Sequence, residues 1–193
     1  MSRVSFYSTL VLCLMISVSS TDARAQDPNK QKFGGLSLGI GLSLTHDLGW
    51  NDRVTKAEVV NGIVRVEEQK NDLARIMLEM HYFITPGART AEEASWGHGP
   101  FVAIAPGGND KLIDAIGLGW MVGFRQKMSE KGGVVQWAPN SWNFGIGFVV
   151  DANSKILGDG IRANQPLPAG ESTVRLKDTS QGGIMFITSF SFY

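Results

Sequence analysis

The sequence predicts an all-β fold, an antiparallel up-and-down transmembrane β-barrel of eight strands. Three observations carry the prediction. Segments of strand length alternate apolar with small or polar residues at a period of two, not 3.6. Every charge in these segments falls on one parity, in a chain that is 19% charged. Many of the glycines share that same parity instead of being confined to turns.

The first segment, "FGGLSLGIGLSLTH" (33–46), sets Leu36, Leu38, Ile40, Leu42 and Leu44 against Gly35, Ser37, Gly39, Gly41, Ser43 and Thr45. A strand sends successive side chains to opposite faces, so this ribbon has one aliphatic side and one side of very small groups. "LARIMLEMHYFIT" (73–85) alternates Ala74, Ile76, Leu78, Met80, Tyr82 and Ile84 with positions that include Arg75, Glu79 and His81. "PFVAIAP" (100–106) is a shorter segment bracketed by prolines. "IGLGWMVGFR" (116–125) sets Ile116, Leu118, Trp120, Val122 and Phe124 against three glycines, Met121 and Arg125. "WNFGIGFVVD" (142–151) sets Trp142, Phe144, Ile146, Phe148 and Val150 against Asn143, Gly145, Gly147, Val149 and Asp151. The last segment, "IMFITSFSFY", alternates Ile184, Phe186, Thr188, Phe190 and Phe192 with Met185, Ile187, Ser189, Ser191 and Tyr193.

Two solvents fit such a two-faced sheet. A soluble lipocalin-like barrel turns its apolar side inward, whereas a transmembrane barrel turns it toward lipid. The glycines discriminate. On a water-facing surface they weaken a strand without compensation, while on the concave inside of a narrow barrel small groups solve a space problem. Gly39, Gly41, Gly117, Gly119, Gly123, Gly145 and Gly147 all lie on the polar parity. Trp120, Trp142, Tyr82 and Phe148 lie on the apolar one, where interfacial aromatic girdles belong. The sequence therefore assigns Leu38, Ile40, Leu42, Trp120, Trp142 and Phe144 to lipid. It assigns Arg75, Glu79, His81, Arg125 and Asp151 to a polar network in the lumen.

The N-terminus carries an export pattern. Arg3 precedes the apolar run "STLVLCLMISVSS" (8–20), and Ala23-Arg24-Ala25 fits an A-x-A cleavage site. The run is too short to span a bilayer as a helix. Residues 1–25 are expected to be a signal peptide and 26–193 the barrel domain, with Gln26 as the mature N-terminus. An uncleaved anchor is the competing reading. The one cysteine, Cys13, lies inside the apolar run, so the mature chain offers neither a disulfide nor a thiolate metal site.

With this much in place, the chain resembles the small outer-membrane β-barrel proteins of Gram-negative bacteria. The resemblance covers the mature chain as an architecture: signal peptide, dyad repeats, Gly-rich lumen, and a final strand ending on aromatic Tyr193. That ending is similar to the assembly signal of such barrels, although Phe192, Phe190 and Phe186 fall one step off its usual register. The resemblance implies outer-membrane localisation after Sec-type export. It also implies lipid and lipopolysaccharide as surroundings, and the barrel-assembly machinery as a partner.

"RVTKAEVVNGIVRVEEQ" (53–69) reads as a hairpin, since Asn61-Gly62 suits a two-residue type I′ turn. That register pairs Val59 with Val64, Ala57 with Val66, Glu58 with Arg65 and Lys56 with Glu67. Its charged face suggests a position beyond the membrane; a hairpin inside it with charges in the lumen is the alternative. The stretches 85–99, 128–140 and 153–183 read as polar connections, the last with "STVRLK" as one arm of a further hairpin. Six crossings are clear, and the extra arms raise the expected count to eight, with six crossings plus extracellular hairpin extensions as the alternative. An even count puts both termini in the periplasm.

Chemistry is sparsely signalled. His81, Glu79 and Arg75 suggest either a proton-transfer pair or a salt-bridge network with Arg125 or Asp151 that fills the barrel. Ser43 and His46 are a weak nucleophile–base candidate, in a family context where some barrels hydrolyse lipid A or transfer its acyl chains. "GLGWMVG" (117–123) lacks the third glycine of a dinucleotide loop, and "DANSKILGDGIR" (151–162) lacks the glycine and glutamate of a calcium loop. With 18 basic and 18 acidic residues and no basic run, nucleic acid is not an expected partner. No cofactor or metal is expected. The sequence thus predicts a non-enzymatic barrel with a structural or surface-interaction role through extracellular loops and an unidentified ligand, a narrow pore being the alternative.

Overall fold

The computed structural model describes residues 33–192 except 50, 51, 89, 91, 92, 109 and 110. The expected signal segment, its cleavage site and Tyr193 lie outside the described residues. Among the described residues eight strands form: β1 (Gly35–Asp47), β2 (Val54–Val60), β3 (Ile63–Gln69), β4 (Asp72–Phe83), β5 (Trp96–Pro106), β6 (Ile113–Lys131), β7 (Val134–Leu157) and β8 (Leu176–Phe192). Six of them close into an antiparallel ring in the order β1-β4-β5-β6-β7-β8, with β8 returning to β1. The remaining two, β2 and β3, pair only with each other as a separate hairpin sheet. The eight strands are thus six in the ring plus one hairpin, and the ring members contain the six alternating segments of the sequence.

The hairpin keeps its expected register, with Ala57 opposite Val66, Glu58 opposite Arg65 and Val59 opposite Val64. Asn61 and Gly62 both take positive φ, 52° and 77°, as a type I′ turn requires. Lys56 makes its ion pair with Glu67, although a bulge sets it across from Glu68 along the backbone. Lys56's hydrogen bond holds the Glu67 carboxyl below the usual carboxylate range.

Two connections differ from expectation. Residues 128–140 are not a loop: β6 and β7 run on past the ring as a long hairpin, with Lys131 opposite Val134. Gly132 and Gly133, at φ 61° and 78°, form its tight turn. Lys and Ser around the glycines disguised a two-residue hairpin signal as a polar loop. In "STVRLK" only Leu176 and Lys177 are strand, and they extend β8 itself. β5 also begins earlier than the proline-bracketed segment, at Trp96. Pro100 lacks an N–H, and the β4–β5 ladder breaks beside it, resuming as a single bridge between Ile84 and His98.

The apolar parity faces outward on all six ring strands. Leu38, Ile40, Leu42, Trp120, Trp142 and Phe144 are exposed, as are their counterparts Ile76, Leu78, Ile104 and Phe186. The polar parity is buried. The interior fits because large and small residues alternate laterally around the ring. Met121 lies between Gly99 and Gly145, Phe101 beside Gly119, and Met185 beside Gly147. Gly119 faces Gly147 directly, and a Cβ on either would strike the opposing backbone. Eight strands leave an interior just wide enough for side chains, so six leave less and glycine sets the closing radius.

Candidate functional site

Inward-facing polar residues gather at separate levels of the ring. At the end where β1 stops, four charges alternate in a chain. Arg53, just before β2, donates from Nε to Asp47 at 3.0 Å and from Nη2 to Asp151 at 2.8 Å. Arg75 pairs with the same Asp151 and reaches Thr45 Oγ1 at 3.4 Å. Asp47 and Asp151 are buried, so each guanidinium replaces lost hydration with charge-assisted bonds. Arg53 thereby anchors the base of the β2–β3 hairpin in the mouth of the barrel.

Above that mouth, β3 joins the loop between β7 and β8. Val64 N–H donates to Gln165 O at 2.9 Å, Asn164 N–H to Val64 O at 2.8 Å, and Arg65 Nη1 to Asn164 Oδ1 at 2.6 Å. Val54, Val64 and Ile161 are buried in this cap. The loop carries its own ion pairs: hydrogen bonds from Arg175 and Lys177 hold the Glu171 and Asp159 carboxyls below their usual range.

Deeper in the ring lies a second, fully buried network. Glu79 Oε2 is 2.8 Å from His81 Nδ1, while its Oε1 accepts from Ser189 Oγ at 2.9 Å and Asn143 Nδ2 at 3.5 Å. Ser141 Oγ donates to Asn143 Oδ1 at 2.8 Å and lies 2.6 Å from Ser191 Oγ. The carboxylate sits where Gly39 leaves room, since a Cβ there would collide with Glu79 Oε1. Phe101, Met77, Met121, Met185 and Ile187 contribute an apolar filling to the same interior.

Arg125 belongs to neither network. It lies at the opposite end, donating to the carbonyls of Ala138 at 2.7 Å, Ala94 at 3.2 Å and Trp137 at 3.4 Å, over the Phe33 ring. The single lumen network expected from Arg75, Glu79, His81, Arg125 and Asp151 is therefore three separate groups. The physical reason is distance along the strands: β6 carries Arg125 to the edge of the ring, where the protruding hairpin offers backbone acceptors. Sequence reasoning missed Asp47, Arg53, Asn143 and Ser189. Parity alone marks Asn143 and Ser189 as inward, but nothing local marks Arg53.

Ser43 and His46 do not meet. Ser43 is buried and donates to Arg75 O at 3.3 Å, whereas exposed His46 pairs with Asp72 at 2.6 Å on the outer rim. Odd and even positions of one strand cannot converge. Among the described residues no group of His, Cys, Asp and Glu has metal-binding geometry.

Glu79→Ala is expected to lower the unfolding temperature of the folded barrel, because His81, Asn143 and Ser189 lose the acceptor they share, and a buried hydrogen bond to a charged group is worth about 1.5–3 kcal/mol. Mobility of unboiled samples on a gel against temperature reads this. An unchanged transition contradicts a structural role for the network.

No protein-family model matches the chain, and no curated protein or solved structure matches it significantly.

Proposed function

We propose that the chain is a small integral outer-membrane β-barrel, sealed along its interior, that acts as a structural or surface-interaction protein through its loops. One observation carries the reading: large apolar side chains are exposed on the outward parity of every ring strand. Soluble monomers rarely expose contiguous apolar patches beyond a few hundred Å². On β7 the band runs from Trp142 to Val150, about nine residues, which suits a tilted crossing of the hydrocarbon core. At about 3.4 Å per residue and a tilt near 40° it is roughly 21 Å tall, close to the band of known barrels. Trp96, Phe124 and Trp142 gather toward the end that holds both Gly35 and Phe192, as members of an aromatic girdle would.

Gram-negative outer-membrane residence, export with cleavage after Ala25, and folding by the barrel-assembly machinery are parts of the same reading, supported by the N-terminal pattern and the dyad repeats. Both strand termini of the ring then face the periplasm. The β2–β3 hairpin and the 158–175 loop, joined through Val64 and Asn164, form the surface presented outside. Closure at both ends favours this over a pore: Arg53 bridges one mouth and Arg125 with Phe33 occupies the other.

Planar-bilayer recording tests it. Refolded full chain, first shown to insert into vesicles by protease protection, is expected to give no steady conductance. Resolvable channels of constant size overturn the sealed reading.

A further inference from the structure

His98 stands apart from the other histidines. His81 is inside the ring and His46 lies on the far rim, whereas His98 lies on the outward parity of β5 within the apolar band. Two indoles hold it. Its ring stacks on Trp96 with centroids 5.7 Å apart and planes at 26°, and Trp120 lies 5.8 Å away on the neighbouring strand. Trp120 Nε1 is 3.2 Å from His98 Nδ1. An indole N–H can only donate, so Nδ1 accepts and the imidazole hydrogen sits on Nε2. No hydrogen bond to that Nε2 exists among the described residues.

The position decides what can accept this hydrogen. His98 pairs with Val122 and bridges to Ile84, one outward step along β5 from Trp96 at the edge of the band. Its outward neighbours Ile84, Pro100 and Val122 bring no side-chain acceptor, and the Tyr82 hydroxyl on β4 makes no hydrogen bond to it. An N–H donor left unpaired against hydrocarbon is costly, and the acceptors available at that depth are lipid oxygens. A headgroup amine only donates; a phosphate oxygen accepts, and its charge strengthens the bond.

The geometry points to a phospholipid site on the outer wall, in which His98 Nε2–H donates to a lipid phosphate oxygen in a slot walled by Trp96 and Trp120. This rests on the membrane reading above. The site fixes the depth of the barrel at the girdle and selects a phosphate-bearing lipid there.

The test takes the full chain folded in dodecyl maltoside and titrates it with phosphatidylglycerol, counting bound lipid by native mass spectrometry. Wild type is expected to retain a single lipid through dilution. His98→Phe keeps a ring in the stack but removes the donor, and lowers the affinity about tenfold or more. His98→Gln restores an N–H donor and stays within a few fold of wild type. Equal affinity for wild type and His98→Phe, with both chains inserted in phosphatidylglycerol vesicles, overturns the site alone. Displacement of the lipid by excess inorganic phosphate makes it a free-phosphate site and overturns the lipid assignment. A wild-type chain that stays outside those vesicles overturns the membrane reading and the site with it.

Discussion

Gly41→Leu is expected to abolish refolding of the barrel in detergent, whereas Ile40→Ala, one residue away, leaves it close to wild type. A Cβ at Gly41 meets Thr188 O at 2.6 Å and Ser189 Cβ at 2.8 Å, both on β8. The first of these is backbone and cannot rotate aside. A leucine there forces β1 away from β8 along a seam the ring needs for closure, beyond the roughly 1–3 kcal/mol of ordinary overpacking. Ile40 is 51% exposed on the opposite face, so alanine leaves no internal cavity and lipid tails close over the missing methyls. Ile40→Arg in a bilayer should cost roughly 2–4 kcal/mol, the scale for a cation on the lipid face near the midplane. A water-soluble barrel with a leucine core reverses the first pair, since a buried Ile→Ala costs about 2–5 kcal/mol. Refolded fractions on unboiled gels separate the cases. A stable Gly41→Leu beside a collapsed Ile40→Ala refutes the outward-apolar geometry.

Asp151→Ala is expected to destabilise the refolded barrel by about 3–5 kcal/mol, the scale for removing one partner of a buried ion pair. Asp151 serves two guanidiniums. Arg53 keeps Asp47 when Asp151 is lost, but among the described residues Arg75 keeps only the Thr45 hydroxyl. The cost is that of a stranded charge, so it should fall when the charge is removed as well. Asp151→Ala with Arg75→Met is therefore expected to be more stable than Asp151→Ala alone. Urea titration in detergent micelles measures both, and a single variant within about 1 kcal/mol of wild type contradicts the anchoring role of the quartet.

The strands were legible because the period of two is local: each residue's parity is written by its neighbours in sequence. The hairpin register was legible for the same reason, Asn61-Gly62 fixing which residues face each other. The ring's size was not. Whether β2 and β3 join the wall depends on how β1 meets β4 across the intervening residues, which no local pattern encodes. The site suffered more. Glu79 and His81 are two positions apart on one strand and were readable as a pair, whereas Arg53 finds Asp151 only after the ring has closed. Arg125 has inward parity like Glu79, yet strand stagger carries it to the opposite mouth. Parity tells which face a side chain takes, and closure decides its level.

The central claim, that the apolar wall faces lipid, is tested most directly by quenching from brominated phospholipid. Of the tryptophans, Trp96, Trp120 and Trp142 lie exposed on the outward face of the ring. Single-tryptophan variants retaining Trp120 or Trp142 are reconstituted in vesicles brominated at defined acyl positions. Strong quenching is the predicted result, greatest for bromines near the headgroup end of the chains for Trp142 and for deeper bromines for Trp120, which pairs with mid-band Ile146, with both tryptophans inaccessible to aqueous iodide. Emission untouched by bromolipid and quenched by iodide would contradict it.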